Sequence, residues 1–146
     1  MKDAVQHRFL KDAGVDDLTA LVEFNLAPLA VRRDIAMLGL IHRTALGKGP
    51  HQFKEHFKIQ RHDHHDVRMV GPRQEYRAPI IKRSALGLVA IYNLLPQEVL
   101  SAKPVHTFQQ RLQCLVADQA KAGFPQWAEM LSRRLPLASH PLVSLV

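Results

Sequence analysis

Apolar residues recur at three- and four-residue steps over most of this chain, the period of amphipathic helices packed on a common core. Residues 3–13 fit a short helix with Val5, Phe9 and Leu10 on one side and Gly14 placed to stop it. Asp16 then occupies an N-cap position ahead of Leu18, Leu21, Val22 and Asn25 at helical spacing. Pro28 ends that element and suits the first turn of the next, the clearest helix in the chain. Over residues 28–46, Val31, Ile35, Leu38, Ile41, His42 and Ala45 form one stripe, and Gly47, Gly49 and Pro50 terminate it. Residues 52–57 offer one or two further turns.

The pattern changes at His51. Residues 58–79 are polar, rich in His and Arg and interrupted by Gly71, Pro72 and Pro79, which predicts a long, loosely ordered connection. Residues 84–95 are then apolar almost all round, and period alone does not separate helix from strand in such a run. Its length and a capping Ser84 favour a buried helix, against the cost of about 1 kcal/mol for Gly87. Pro96 closes it. A last long helix starts near Pro104 and runs to about Ala122, with Val105, Phe108, Leu112, Leu115 and Val116 as its stripe and Gly123 as its stop. Cys114 falls opposite that stripe. Pro125 opens a short helix holding Trp127, Met130 and Leu131 and ending in Arg133 and Arg134, a dipole-favoured place for cations. The expected architecture is all-α: an irregular bundle of four to six helices in a single domain over residues 1–134, with an extended tail over residues 135–146.

The 146 residues suit one compact domain, and a hydrophobic content of 47% is ordinary for a globular core. Twenty Lys and Arg against 13 Asp and Glu give a formal charge of +7, which favours polyanionic partners, nucleic acid being the commonest, with an ordinary soluble domain of a basic larger protein as the alternative. The single cysteine, Cys114, has no internal disulfide partner. The first residues carry no secretory apolar core and no stretch reaches membrane-spanning length, so an intracellular protein, nuclear or cytoplasmic and without a membrane partner, is expected.

Candidate chemistry is sparse. His51, His56, His62, His64 and His65, with Asp63 and Asp66, are zinc-ligand types, but they crowd too closely in sequence for a tetrahedral set on rigid elements. A solvated loop is the better reading. Asp16 and Asp17 form an adjacent carboxylate pair of the kind that holds magnesium in polymerases, yet they open an amphipathic helix, where capping explains them. Cys114 and His106 lie eight residues apart on one helix, a rise of about 12 Å, too far for a nucleophile and its base. His42 sits by an apolar stripe and reads as a core histidine with a hydrogen-bond partner. No catalytic residue, cofactor site or metal site is assigned. The basic residues say more: Arg32, Arg33 and Arg43 share one helix, Lys82 and Arg83 precede the apolar run, and Arg133 and Arg134 end another helix. Arg32, Arg33, Arg43, Lys82 and Arg83 are the candidate nucleic-acid contacts, with a scattered solvated face as the alternative.

The order of motifs adds to this. Asn25-Leu26-Ala27-Pro28-Leu29, then residues 32–43 and the Leu46-Gly47-Lys48-Gly49-Pro50 ending, are followed by Arg83-Ser84, Ile91-Tyr92-Asn93-Leu94-Leu95-Pro96, Glu98-Val99, Ser101-Ala102 and Val105-His106-Thr107-Phe108. This succession resembles the region downstream of the polymerase domain in non-LTR (LINE-type) retrotransposon reverse transcriptases, over about residues 26–115. Tyr92 stands where that family usually has tryptophan. The family's polymerase carboxylates and endonuclease lie before this region, so the resemblance implies a non-catalytic C-terminal fragment, a scaffold or template-contacting appendage that binds RNA or DNA weakly or contacts the polymerase domain. The alternative is a self-association or protein-interaction module that uses an exposed apolar helix over residues 86–95.

Overall fold

The computed structural model describes residues 2–54, 57–61, 65–69 and 82–145. The class is all-α. Helices α1 (Lys2–Asp12), α2 (Asp17–Phe24) and α3 (Leu29–Ala45) are followed by a single turn, α4 (His51–Lys54). After the ladder strands β1 (Phe57–Arg61) and β2 (His65–Met69) come two more single turns, α5 (Val89–Tyr92) and α6 (Gln97–Leu100), and then the long helix α7 (Val105–Lys121). Three 3-10 turns, Trp127–Glu129, Leu137–Ser139 and Pro141–Leu145, complete the chain.

The helix boundaries follow local chemistry. Asp16 caps α2 by accepting the Thr19 N–H at 2.6 Å, and that bond, with a second from the Thr19 side chain, holds its carboxyl below the usual aspartate range. Pro28 and Pro104 precede the first residues of α3 and α7, where a missing N–H costs nothing. Gly14, Gly47 and Gly123 have φ of 69°, 76° and 81°. In each case the next residue's N–H reaches back across the helix end: Val15 to Leu10, Lys48 to Arg43 and Phe124 to Gln119. That closing bond needs the left-handed conformation that only glycine adopts freely.

The core lies between α3 and α7, which pack directly on one another. Val31, Ile35, Leu38 and Ile41 from α3 meet Phe108, Leu112 and Val116 from α7, all buried. Gly39 lets the helices approach: a Cβ there would meet only the flexible end of Gln109. The apolar run after Ser84 fills the same core. Its residues 84–88 form successive turns and only Val89–Tyr92 is α-helical, so the expected helix is shorter than its composition suggested. Leu88, Val89, Ile91, Tyr92 and Leu95 are buried against α3 and α7. An exposed apolar helix over residues 86–95 is therefore corrected: those side chains complete this chain's own core.

Two further expectations change. Residues 57–61 and 65–69 pair as an antiparallel ladder, Phe57 with Met69 and Ile59 with Val67, in place of a loosely ordered connection. Residues 62–64 and 70–79 of that stretch lie outside the described residues. The tail expected to be extended instead packs down as two 3-10 turns, because Leu142 and His140 both find buried places. The apolar stripes of the first two helices are only half used. Leu10, Ala20 and Leu21 are buried, while Val5, Phe9 and Phe24 are 71%, 63% and 64% exposed. No helix among the described residues is long and apolar enough to cross a membrane.

A basic cleft as candidate functional site

The sequence scatters arginine along the chain; the fold gathers part of it. Arg33 projects from the outer side of α3, one residue after Arg32 and two before buried Ile35. Lys82 and Arg83 arrive just ahead of the apolar turns, whose Leu88 packs into the core. Arg133 and Arg134 follow buried Met130, Leu131 and Ser132. These three segments border one cleft of about 780 Å³, floored by Ala30, Ala36, Met37 and Leu88.

Asp34 stands in the same cleft, a single carboxylate among five cationic side chains. Partial burial raises its pKa from 3.8 to about 6, opposed by the charges of Arg134 and Arg33. Arg134 and Arg33 act on that carboxylate through their charge. It is ionised at neutral pH, so it presents acceptors only.

The C-terminal wall of the cleft is held by His140. Its Nε2–H donates to the Ser132 carbonyl at 3.2 Å, and its Nδ1 accepts the Leu142 N–H at 3.3 Å. Ser132 Oγ in turn accepts the Arg134 N–H at 3.1 Å. Both ring nitrogens are thus used in the neutral form. Burial lowers the His140 pKa below 6.5; the Ser132 bond opposes that shift and the Arg133 charge adds to it.

The five predicted contacts divide. Arg33, Lys82 and Arg83 share the cleft. Arg32 donates to Gln6 Oε1 at 3.2 Å and borders a separate depression with His106 and Gln113, tying α1 to α3. Arg43 donates to the Lys48 carbonyl at 3.0 Å, closing the C-terminal end of α3. Arg133 and Arg134, noted in the sequence among the basic residues at a helix end but not among the five contacts, belong to the cleft. The missed signal was their position beside buried Met130 and Leu131, which anchor that segment.

The other candidates resolve simply. His42 is 1% exposed and stacks on Phe108 with ring centroids 4.0 Å apart and planes 6° from parallel. Its Nε2–H donates to the Ala102 carbonyl at 2.6 Å, which can only accept, so in the neutral ring Nδ1 accepts the Tyr92 O–H at 3.0 Å. Burial pushes the Tyr92 hydroxyl far above its usual range and keeps it a donor. This histidine is a core fastener. Cys114 is exposed and lies with Arg111 and Asp118, whereas His106 borders the Arg32 depression. Among the described residues no three His, Cys, Asp or Glu side chains converge as a metal site. His56, His62, Asp63 and His64 lie outside those residues. No protein-family model, curated protein or solved structure matches the chain.

Proposed function

We propose that this chain is a non-catalytic, nucleic-acid-contacting element of the kind that follows the polymerase domain in non-LTR reverse transcriptases. RNA or DNA phosphate is held in the basic cleft, and the protein works in the nucleus or cytoplasm. The observation that carries the reading is the meeting of Arg33, Lys82, Arg83, Arg133 and Arg134, from three segments far apart in sequence, around one cavity. Arginine pairs with phosphate bidentately, and each phosphate neutralised releases counterions from the strand. Affinity is then electrostatic, and it falls as salt rises with a slope of about 0.7 per phosphate for single strands.

Docking against a polymerase domain is the second part of the reading. The surface it uses is the exposed apolar side of α1 and α2, where Val5 and Phe9, and Leu18 and Val22, stand one helical turn apart. Anisotropy of labelled single-stranded RNA tests the nucleic-acid part. Arg83→Glu and Arg134→Glu together are expected to weaken binding and reduce its salt slope by about 1 to 2. An unchanged slope would remove the cleft from the reading, and Arg43→Glu serves as the charge-reversal control outside it, set against each single cleft variant.

A further inference from the structure

The cleft has a property that phosphate binding alone leaves unexplained. A site built only for phosphate gains nothing from a carboxylate among its cations, since the negative charge opposes every anion that enters. Asp34 is nevertheless there, half-buried in the lining and ionised at neutral pH among the cationic side chains. A ligand that satisfies the whole cleft must bring an anionic group for the arginines and neutral donors for the carboxylate. It must also bring an apolar surface for Ala30, Ala36, Met37 and Leu88. A cleft of about 780 Å³ is in the range of small-ligand sites, roughly 300 to 1,000 Å³.

Nucleotides meet the first and third conditions, and the bases differ on the second. On its pairing edge guanine carries two adjacent donors, N1–H and N2–H, spaced to match the two oxygens of one carboxylate. Adenine and cytosine each offer one amino N–H beside a ring lone pair. Uracil offers one N–H between two carbonyls. Each of those three sets a lone pair against an Asp34 oxygen. The pairing edge is available only in an unpaired nucleotide, which is how proteins read RNA sequence. A guanidinium or ammonium ligand would also satisfy the carboxylate, but it would enter against five like charges.

We infer that the cleft holds an unpaired guanine nucleotide, its N1–H and N2–H donated to Asp34 and its phosphate held by the surrounding Arg33, Lys82, Arg83 and Arg134. This rests on reading the cleft as a phosphate-contacting surface and adds base selectivity to it. Asp34 is then the specificity residue and the arginines supply sequence-independent affinity.

The test is anisotropy with short labelled oligouridylates bearing one central G, A, C or inosine, bound to the wild-type protein and to Asp34→Asn. The expected result is roughly tenfold tighter binding of the G strand than of the A or C strand, the scale of one bidentate base contact. Inosine, which lacks the N2 amino group, falls between. In Asp34→Asn the preference disappears while all strands bind somewhat more tightly, because a negative charge has left the cleft. Competition by GMP against AMP separates the two sources of the ligand. Displacement by GMP alone supports a free nucleotide, and displacement only by G-containing strands supports a nucleotide within a chain. Equal binding of all strands with a normal salt slope would overturn the guanine assignment and leave phosphate contact standing, as would a G preference that survives Asp34→Asn. No binding of any strand would overturn both.

Discussion

Replacing Asp34 with asparagine should stabilise the protein at neutral pH, an unusual direction for a change on a half-buried helix position. Folding moves the carboxyl from an ordinary 3.8 to about 6, so the folded state favours the protonated form. The sign follows directly. Between these two values the folded chain binds more protons than the unfolded one, and stability falls as pH rises. Below pH 4 the penalty is absent; above pH 6 it is complete. Its size is the separation of about two pH units at 1.36 kcal/mol each, about 3 kcal/mol. Asparagine removes the charge but still places a polar amide in the half-buried site, which returns about 1 kcal/mol of the cost. The net expected effect is a gain of about 2 kcal/mol at pH 7 and, with the carboxyl penalty gone, a loss of up to about 1 kcal/mol at pH 4. Urea unfolding at half-unit steps between those values reads it as a midpoint difference of about 1 M that opens with rising pH. Parallel stability curves for the two proteins would refute the reasoning, because they would mean that Asp34 is as well solvated folded as unfolded.

Other consequences are as direct. His42→Ala removes a ring stacked on Phe108 and leaves the Tyr92 hydroxyl and Ala102 carbonyl without their partner. It should cost about 4 kcal/mol in urea unfolding, against about 1 to 2 kcal/mol for Tyr92→Phe. His140 has a folded pKa below its ordinary 6.5, so its contribution is complete above pH 6.5 and is lost as pH falls below that value. The Asp34 effect runs the other way, so the loss should be visible as an acid-side slope in the Asp34→Asn background and be flattened by His140→Gln. Gly123→Ala forces a side chain into φ of 81° at the end of α7 and should lower stability by about 1 kcal/mol, read by thermal unfolding.

The long helices were legible because pattern and punctuation agreed. The α3 stripe from Val31 to His42 and the α7 stripe from Phe108 to Val116 both appear buried, and Gly14, Gly47 and Gly123 stop their helices by the closing bond their position suggested. Asp16 as a cap and His42 as a hydrogen-bonded core residue were equally local statements, each decided within a few residues or by one apolar face. The misreadings come from distance and composition. Residues 58–61 and 65–69 read as part of a polar connection because six of the nine are charged or polar. The alternation of Phe57 with Ile59 and of Val67 with Met69 is the period-two signal that strand pairing uses. The C-terminal segment looked extended because Pro136 and Pro141 exclude a regular helix, but both are compatible with 3-10 turns once Leu142 has a core to enter. The cleft was half legible. Arg33, Lys82 and Arg83 were singled out by charge. Their meeting with Arg133 and Arg134, and the place of Asp34 among them, depend on contacts between remote segments that no local pattern encodes.

The most direct test of phosphate contact in the cleft is a nuclear magnetic resonance titration of the isotopically labelled protein with short single-stranded RNA at low salt. The account predicts that backbone amide signals of Ala36, Met37, Ser132 and Arg133 move progressively while those of Cys114 and Asp118, on the far side of α7, stay in place. Shifts confined to α1, α2 or the Cys114 side, with the cleft residues unmoved, would contradict it.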